Sequence, residues 1–240
     1  MIPKNIYQIY HDKTIIKKEI IYEIKNINPR YNYYLYDFND GIKFIKNNFE
    51  NNLADKIISH LNGLERYAHK SDLLRYCLLY IYGGVYIDID LKQKCSLDEI
   101  IALSDNSEMI TSFGLSGDIK KMTELEIQNN NDKYHPIISN GMIFSIPLNK
   151  ILYEQIMYIL SCPFKIRHST FIYFFHDCLK KINNMDKLKP FQKFDYEDIN
   201  IYLFKEITFE KNGKCCFIDK DKNIIMYSNN FMNKNEYLNI

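Results

Sequence analysis

The stretch KSDLLRYCLLYIYGGVYIDID, residues 70–90, predicts a helix that a glycine pair joins to a short buried strand ending in two carboxylates. Apolar residues recur at helical spacing up to Tyr82. Gly83 and Gly84 then end the helix, because glycine accepts the left-handed backbone of a helix C-terminus. The run from Val85 to Ile89 is apolar and largely β-branched, which predicts a buried strand. Helix, turn and strand in this order favour an α/β fold.

Two pairs of charged residues lie in this stretch. Asp72 and Arg75 are three apart and share a helix face, whereas Asp88 and Asp90 are expected on one side of the strand because side chains alternate along it. Carboxylates that approach each other repel unless a cation or a proton lies between them. Magnesium and manganese take oxygen ligands, so the pattern indicates a divalent metal and a diphosphate. The alternatives are a solvated Asp-Ile-Asp loop and an ordinary helix ion pair.

The chain resembles DXD-motif glycosyltransferases of the capsular and mannosyltransferase type, over their sugar-binding region. The central block is SDLLRY (71–76) with LYIYGGVYIDID (79–90). Two flanking blocks are IPKNIYQIY (2–10) and NGMIFSIP (140–147). The resemblance implies a GT-A type nucleotide-diphospho-sugar transferase fold, with a Rossmann-like mixed central sheet flanked by helices. Tyr7 and Tyr10 stand where the family usually has His and Trp.

The resemblance also assigns roles to the charged residues. It implies that Asp90 binds the metal and that Asp88 contacts the metal shell or the hydroxyls of ribose and sugar. Asp72 and Arg75 would hold the transferred sugar, with Arg75 near the diphosphate. Asp88, Asp90 and Arg75 are thus the expected catalytic residues.

Three further donor contacts are expected at Tyr86, which would line the pocket, at Tyr10, which would face the base, and at Asn140. Both tyrosines are equally compatible with core or surface positions, and Asn140 with a turn before Gly141. The resemblance implies a further metal ligand or phosphate contact near the C-terminus, where Ser228 or Asn229 could contribute an oxygen.

The predicted function is that of a hexosyltransferase that depends on Mn²⁺ or Mg²⁺. It would move a hexose from a UDP- or GDP-linked donor to a glycan, lipid-linked or protein acceptor, as in polysaccharide biosynthesis. Retention of configuration is implied by the resemblance alone. One alternative is a catalytically degenerate nucleotide-sugar-binding protein. A less favoured one is a phosphatase with an aspartate nucleophile, in which a hydroxyl residue usually stands at the place of Lys92.

Composition agrees with a single catalytic domain over residues 1–240, with donor and metal binding in 1–150 and the acceptor side in 151–240. The chain is 46% apolar with a formal charge of +1, and it has no dense basic run, so no nucleic-acid partner is expected. No apolar run reaches the roughly 20 residues of a transmembrane helix. The six cysteines form no Cys-X-X-Cys pair, which argues against zinc. We expect a cytoplasmic location, with peripheral membrane attachment left open.

The remaining sequence predicts alternating strands and helices. Strands are expected at 4–10, 32–36, 108–113 and 137–146, and helices at 15–26, 41–60, 97–103, 149–160 and 169–182. Short strands with a hairpin at 219–223 are expected within 205–227, and a polar loop over 116–135. His176 is expected to be a packed residue rather than a catalytic one, while His11 and His69 receive no role.

Overall fold

A computed structural model describes residues 1–116, 135–165, 171, 175, 189–196, 198–209 and 214–228. Within these residues the chain forms helices and strands that alternate in its first half and are mostly strands in its second. The helices are α1 Lys18–Ile27, α2 Phe38–Asn48, α3 Asn51–Gly63, α4 Tyr67–Tyr82, α5 Leu97–Leu103 and α6 Lys150–Ser161. The strands are β1 Asn5–Ile9, β2 Asn32–Tyr36, β3 Gly84–Ile87, β4 Leu91–Gln93, β5 Met109–Ser116, β6 His135–Ser145, β7 Gln192–Tyr196, β8 Ile199–Phe209, β9 Lys214–Ile218 and β10 Ile224–Ser228.

The strands form one mixed sheet in the order β2-β1-β3-β6-β5-β8-β9-β10-β4, and β7 also pairs with β8. Strands β2, β1 and β3 are parallel, as helical crossovers between strands require. Strand β6 is antiparallel to both β3 and β5, while β5 is parallel to β8. The predicted α/β class with a Rossmann-like mixed sheet flanked by helices is therefore confirmed.

The sheet curls so that its far end returns to the end of β3. Strand β4 begins at Leu91, directly after the turn that follows Ile87, yet it stands at the opposite end of the strand order and pairs with β10. A connection of three residues, 88–90, cannot span a flat sheet of this width. The two aspartates consequently lie where the sheet closes on itself.

The core has one apolar cluster on each face of the sheet. Along β3, Val85 and Ile87 pack in the cluster that contains residues of α1 and α5, and Tyr86 packs in the cluster that contains α2, α3, α4 and α6. Nine residues of α4 are buried, among them Asp72 and Arg75. Because charged groups are rarely buried without partners, these two side chains must be satisfied inside the protein.

Helix α4 ends at the glycine pair as predicted. Gly83 and Gly84 have φ values of +59° and +109°, which residues with a Cβ rarely adopt. A Cβ on Gly84 would also lie 2.7 Å from the carbonyl oxygen of Asn5. Glycine is therefore needed here both for the backbone angles and for the close approach of β1.

Several predicted elements differ in their limits. The helix expected over 41–60 is two helices separated by Phe49 and Glu50, and the one expected from residue 15 is a 3₁₀ turn, Lys13–Ile15, followed by α1. The strand expected to reach Ile89 ends at Ile87. Strands β4 and β7 were not anticipated, because both are short and gain their stability from pairing with distant strands.

Other predictions hold or lie outside the described residues. Ser96 begins α5 through a capping box with Glu99, and the hairpin between β9 and β10 is present. Of the helix expected at 169–182, only Phe171 and Phe175 are described, and both are helical. His176 and most of the loop expected at 116–135 lie outside the described residues. Over the described part of the chain, no helix is long and apolar enough to cross a membrane.

Candidate functional site

The two aspartates of the DXD sequence lie in a tight turn rather than on β3. The N–H of Leu91 donates to the carbonyl oxygen of Asp88 at 3.0 Å, which closes the turn. The N–H of Asp88 donates to the carbonyl oxygen of Gly141 on β6 at 2.8 Å. The prediction that both aspartates lie on the strand, where alternation would point them the same way, was therefore wrong. The turn itself is held by its neighbours.

Gln8 on β1 also holds this turn, through its side chain. Its Nε2 donates to the carbonyl oxygen of Asp88 at 3.3 Å, and its Oε1 accepts from the hydroxyl of Tyr33 at 2.7 Å. Gln8 is fully buried. No role was predicted for Gln8 from the sequence. The signal was present, because a polar side chain lies in the middle of the apolar strand IYQI.

Arg75 lies at the centre of a cluster drawn from α4, β3 and β6. Its Nη2 lies 3.1 Å from Asp72 Oδ1 and 3.3 Å from Asp88 Oδ1. Its Nη1 donates to the carbonyl oxygen of Asn140, and the guanidinium lies over the ring of Tyr86 with Cζ 4.2 Å from the ring centre. The hydroxyl of Tyr86 donates to Asp88 Oδ1 at 2.7 Å. Five of the predicted site residues are thus brought together.

Burial sets the electrostatics of this cluster. Arg75 is 4% exposed, and burial raises the pKa of Asp72 to about 6 against the attraction of Arg75 and a hydrogen bond from Asn140. Asp88 differs from Asp72, since 36% of its side chain is exposed. The cluster therefore combines a buried, protein-bound ion pair with one carboxylate that a ligand can reach.

Asp90 is partly buried beside Asp88. Burial, and to a smaller extent the negative charge of Asp88, raise the pKa of Asp90 to about 6. A neighbouring pair of carboxylates offers an attractive site to a divalent cation. In the described part of the chain, no group of three or more His, Cys, Asp or Glu side chains could hold a metal ion. Any further protein ligand would therefore be a residue other than His, Cys, Asp or Glu, or would lie outside the described residues.

Asn140 reaches the cluster because β6 bulges. Ile110 pairs with Phe144 but Ser112 pairs with Ser139, so between these pairs β5 has one residue and β6 has four. A bulge turns side chains away from the regular ladder. At this bulge, Nδ2 of Asn140 donates to Asp72 Oδ1 at 2.8 Å. This contact goes beyond satisfying a local turn, which was the alternative for Asn140.

Gly141 leaves space for the carboxylate of Asp88. A Cβ at this position would lie 2.8 Å from Asp88 Oδ2, closer than real Cβ contacts come. The backbone of Gly141 does not have a positive φ, so the close approach alone explains the glycine. Sequence reasoning did not assign this residue to the site.

Tyr10 lies beside the DXD turn and begins a row of rings. It packs against the small apolar cluster of Ile16 and Ile89, the middle residue of the motif. Its ring centre is 4.4 Å from that of His11, which stacks on Tyr67 at 4.8 Å. His11 and Tyr67 are exposed, so this row forms an accessible aromatic wall next to the turn.

Ser228, one of the two expected third ligands, lies next to the turn in the sheet. It pairs with Leu91, the residue after Asp90. Its side chain is buried, and Oγ accepts from the N–H of Cys215 at 3.0 Å. Asn229, the other candidate, lies outside the described residues. His69, which received no role, is buried and meets the ring of Phe171 edge-on.

Comparison with known proteins gives partial matches. Mannosyl phosphorylinositol ceramide synthase SUR1 of Saccharomyces cerevisiae is 31% identical over 124 residues, which are 50% of this chain and 30% of that protein. Uncharacterized glycosyltransferase L373 of Acanthamoeba polyphaga mimivirus is 36% identical over 66 residues, 27% of this chain and 25% of that protein. The chain thus spans less than a third of the length of these relatives.

Among solved structures, the PaToxG glycosyltransferase covers 75% of this chain and 69% of its own, with 16% identity and a TM-score of 0.48. Residues 16–106 match the family model described as a glycosyltransferase sugar-binding region containing a DXD motif. They include α4, the glycine pair and both aspartates of the turn. The resemblance predicted from the sequence is therefore confirmed over residues 16–106.

Proposed function

We propose that this protein is a metal-dependent glycosyltransferase of the GT-A type that moves a hexose from a nucleoside-diphosphate sugar to an acceptor hydroxyl. The observation that carries the proposal is the convergence of Asp72, Arg75, Asp88 and Asn140, drawn from α4, the DXD turn and β6, in which the carboxylate of Asp88 is accessible to a ligand. The family match over residues 16–106 supports the same reading.

The residues fit a divalent ion in this role. Asp88 is accessible, and Asp90 is partly buried with its pKa raised by burial and by Asp88. Magnesium is typically held by one or two carboxylates together with substrate phosphates and water, so two protein carboxylates suffice. Asp90 and Asp88 would hold the ion, with Ser228 or Asn229 as a further ligand. When bound, Mn²⁺ or Mg²⁺ supplies Lewis-acid stabilisation of the departing diphosphate.

The sugar would be held by the buried polar cluster. Asp72 and Asp88 present carboxylate oxygens, and Asn140 an amide, to hydroxyls of the hexose. Their positions are fixed by Arg75, which contacts all three. Side chains locked before the substrate arrives hold the reacting carbon in register with the acceptor oxygen, which lowers the entropic part of the barrier.

Arg75 contributes its positive charge to the site rather than free hydrogen-bond donors. Its guanidinium is almost fully buried and bonded to protein oxygens, so it neutralises Asp72 and Asp88 and raises the local potential where the diphosphate would lie. A direct bond from Arg75 to phosphate requires one of these contacts to open. Retention of configuration, through attack from the front face, is part of the proposal because the family resemblance implies it.

The base would lie against the aromatic row. Tyr10 packs beside Ile89 of the DXD turn, so a nucleoside whose phosphates reach Asp90 brings its base to this wall. Stacking on an aromatic side chain suits uracil or guanine, because each base has a π-face. This geometry favours Tyr10 as a donor contact over a role in the core.

For donor and acceptor, the name of the yeast relative makes a mannosyl donor and a lipid-linked acceptor the first to test, followed by glycan and protein acceptors. We assign donor and metal binding to residues 1–150 and the acceptor side to 151–240, within one domain whose sheet takes strands from both parts. A role in polysaccharide biosynthesis and a cytoplasmic location complete the proposal, which leaves peripheral membrane attachment open.

The test is a donor screen on purified protein. A ligand present at 100 times its Kd stabilises the folded state by about 2.7 kcal/mol, which raises Tm by roughly 5–10 °C for a chain of this size. We expect such a shift with one UDP- or GDP-hexose in the presence of Mn²⁺, together with release of UDP or GDP, and loss of that release in Asp90→Ala.

Three results would change the assignment. Absence of nucleotide-sugar binding with any divalent metal refutes the proposal. Binding without turnover across glycan, lipid and protein acceptors favours the degenerate binding protein. Hydrolysis of p-nitrophenyl phosphate that depends on Asp88 favours the phosphatase.

A further inference from the structure

Glu206 on β8 is a partly buried acid that the proposed site does not use. Its Oε2 is buried and has no hydrogen-bond partner in the described part of the chain. On the neighbouring strand, a Cβ at Gly114 would lie 3.3 Å from this oxygen and 3.4 Å from the Cβ of Glu206. The missing side chain at Gly114 thus makes room for the carboxyl group. Burying an incompletely paired acid costs stability, so its presence calls for a reason other than packing.

The contacts of Glu206 place it between two strands that border the site. Burial raises the pKa of Glu206, hydrogen bonds from Ser139 and Cys215 oppose this rise, and the charge of Asp88 adds to it. Ser139 lies on β6 and Cys215 on β9. One carboxyl group therefore joins strands on both sides of β5 and β8, within electrostatic range of the DXD turn.

Each of these contacts leads to one part of the proposed site. Ser139 immediately precedes Asn140, which bonds to Asp72 and Arg75; we call Ser139 and Asn140 the sugar arm. Cys215 donates its N–H to Ser228, which pairs with Leu91 next to Asp90; we call Ser228, Leu91 and Asp90 the metal arm.

We infer that Glu206 is a positioning residue that ties the sugar arm to the metal arm, so that sugar and diphosphate are held at a fixed separation. This inference rests on the proposed function, since the arms are defined by it. Glu206 does not itself touch the donor. It acts through Ser139 and Cys215, as outer partners act on the ligands of metal sites.

The test is Glu206→Gln, which keeps the size of the side chain and removes its charge. Loss of an outer partner typically costs about 10–100-fold in metal affinity or activity, and we expect losses of this size in Mn²⁺ affinity and in kcat. The KM for the donor should change less, because the sugar-binding side chains remain. The matched control is Glu108→Gln, at the other end of β5, where Oε2 accepts from the N–H of Asn200 at 3.2 Å. It should leave both quantities unchanged.

A readout without donor or metal separates this inference from the proposed function. Hydrogen–deuterium exchange should be faster in Glu206→Gln at peptides covering 86–93 and 137–143, and unchanged around 108–110. If Glu206→Gln does not fold, Ser139→Ala should show the same faster exchange while Ser139→Thr, which keeps the hydroxyl, should not. A wild-type protein that binds no nucleotide sugar refutes the proposed function, and the exchange data still decide the role of Glu206. Unchanged exchange in both arms, or an Mn²⁺ affinity equal to that of the control, overturns the inference.

Discussion

Replacing Gly141 by alanine should damage the proposed metal site while leaving the fold intact. The new Cβ would lie 2.8 Å from Asp88 Oδ2, whereas ordinary contacts begin at 3.4 Å, so the oxygen must move by about 0.6 Å. The carboxylate cannot simply rotate away, since Oδ1 is held by the hydroxyl of Tyr86 at 2.7 Å and by Arg75 at 3.3 Å. The clash is therefore relieved at the expense of the geometry of Asp88.

We expect the Kd for Mn²⁺ to rise about 10–100-fold in Gly141→Ala, the range seen when the support of a metal ligand is disturbed. The Tm should change little, because Gly141 has no positive φ and the Asp88 side chain is 36% exposed. Isothermal titration with Mn²⁺ and a thermal melt measure the two quantities.

Gly63→Ala is the matched control, because its Cβ would lie 2.7 Å from the ring of Phe164, which is 47% exposed and can move into solvent. In an Asp88→Ala background, Gly141→Ala should have no further effect on Mn²⁺ affinity, since the clashing oxygen is gone. An equal additional loss in that background would refute the steric explanation.

Three further outcomes are expected. Arg75→Met should lower the free energy of unfolding by about 3–5 kcal/mol in chemical denaturation, because it leaves Asp72 buried without its charge partner; a loss below about 1 kcal/mol would contradict a buried ion pair. Without metal, stability should fall as pH rises from about 4 to 6, since the folded state binds the proton of Asp72 and of Asp90 more tightly than the unfolded chain does, their pKa values being about 6. Thermal melts should show this fall reduced in Asp90→Asn, and an unchanged slope would count against the raised pKa. Tyr10→Ala should weaken binding of the free nucleotide by about 1–3 kcal/mol, whereas Tyr10→Phe should retain it; equal affinity in all three proteins would remove Tyr10 from the base site.

The helix-turn-strand unit was predictable because its determinants are local. The apolar spacing of α4 and the glycine pair are decided within a few residues, and so is the capping box that begins α5. The end of β3 was not predictable in the same way. Ile89 is apolar and β-branched like its neighbours, but the chain turns at Asp88 because Gly141 and Leu91 take its backbone groups. Gly141 is distant in sequence, so its bond to Asp88 cannot be predicted without knowing how the strands pair.

The site was predictable as a set of residues and not as a geometry. Asp72, Arg75, Tyr86 and Asp88 lie within one continuous segment, so their proximity follows from local structure. The partners Gln8 and Gly141 come from other strands, and no spacing rule connects them to the motif. The degree of burial of Arg75 was likewise unforeseen, since it depends on how α4 packs within the core.

The most direct measurement is the anomalous scattering of manganese in crystals grown with Mn²⁺ and UDP or GDP. The account predicts one strong peak about 2.1 Å from a carboxylate oxygen of Asp90, shared with oxygens of the diphosphate, and with the carboxylate of Asp88 in the ion's immediate surroundings. A nucleotide bound with its phosphates away from residues 88–90, or an ion held elsewhere while the nucleotide is present, would contradict it.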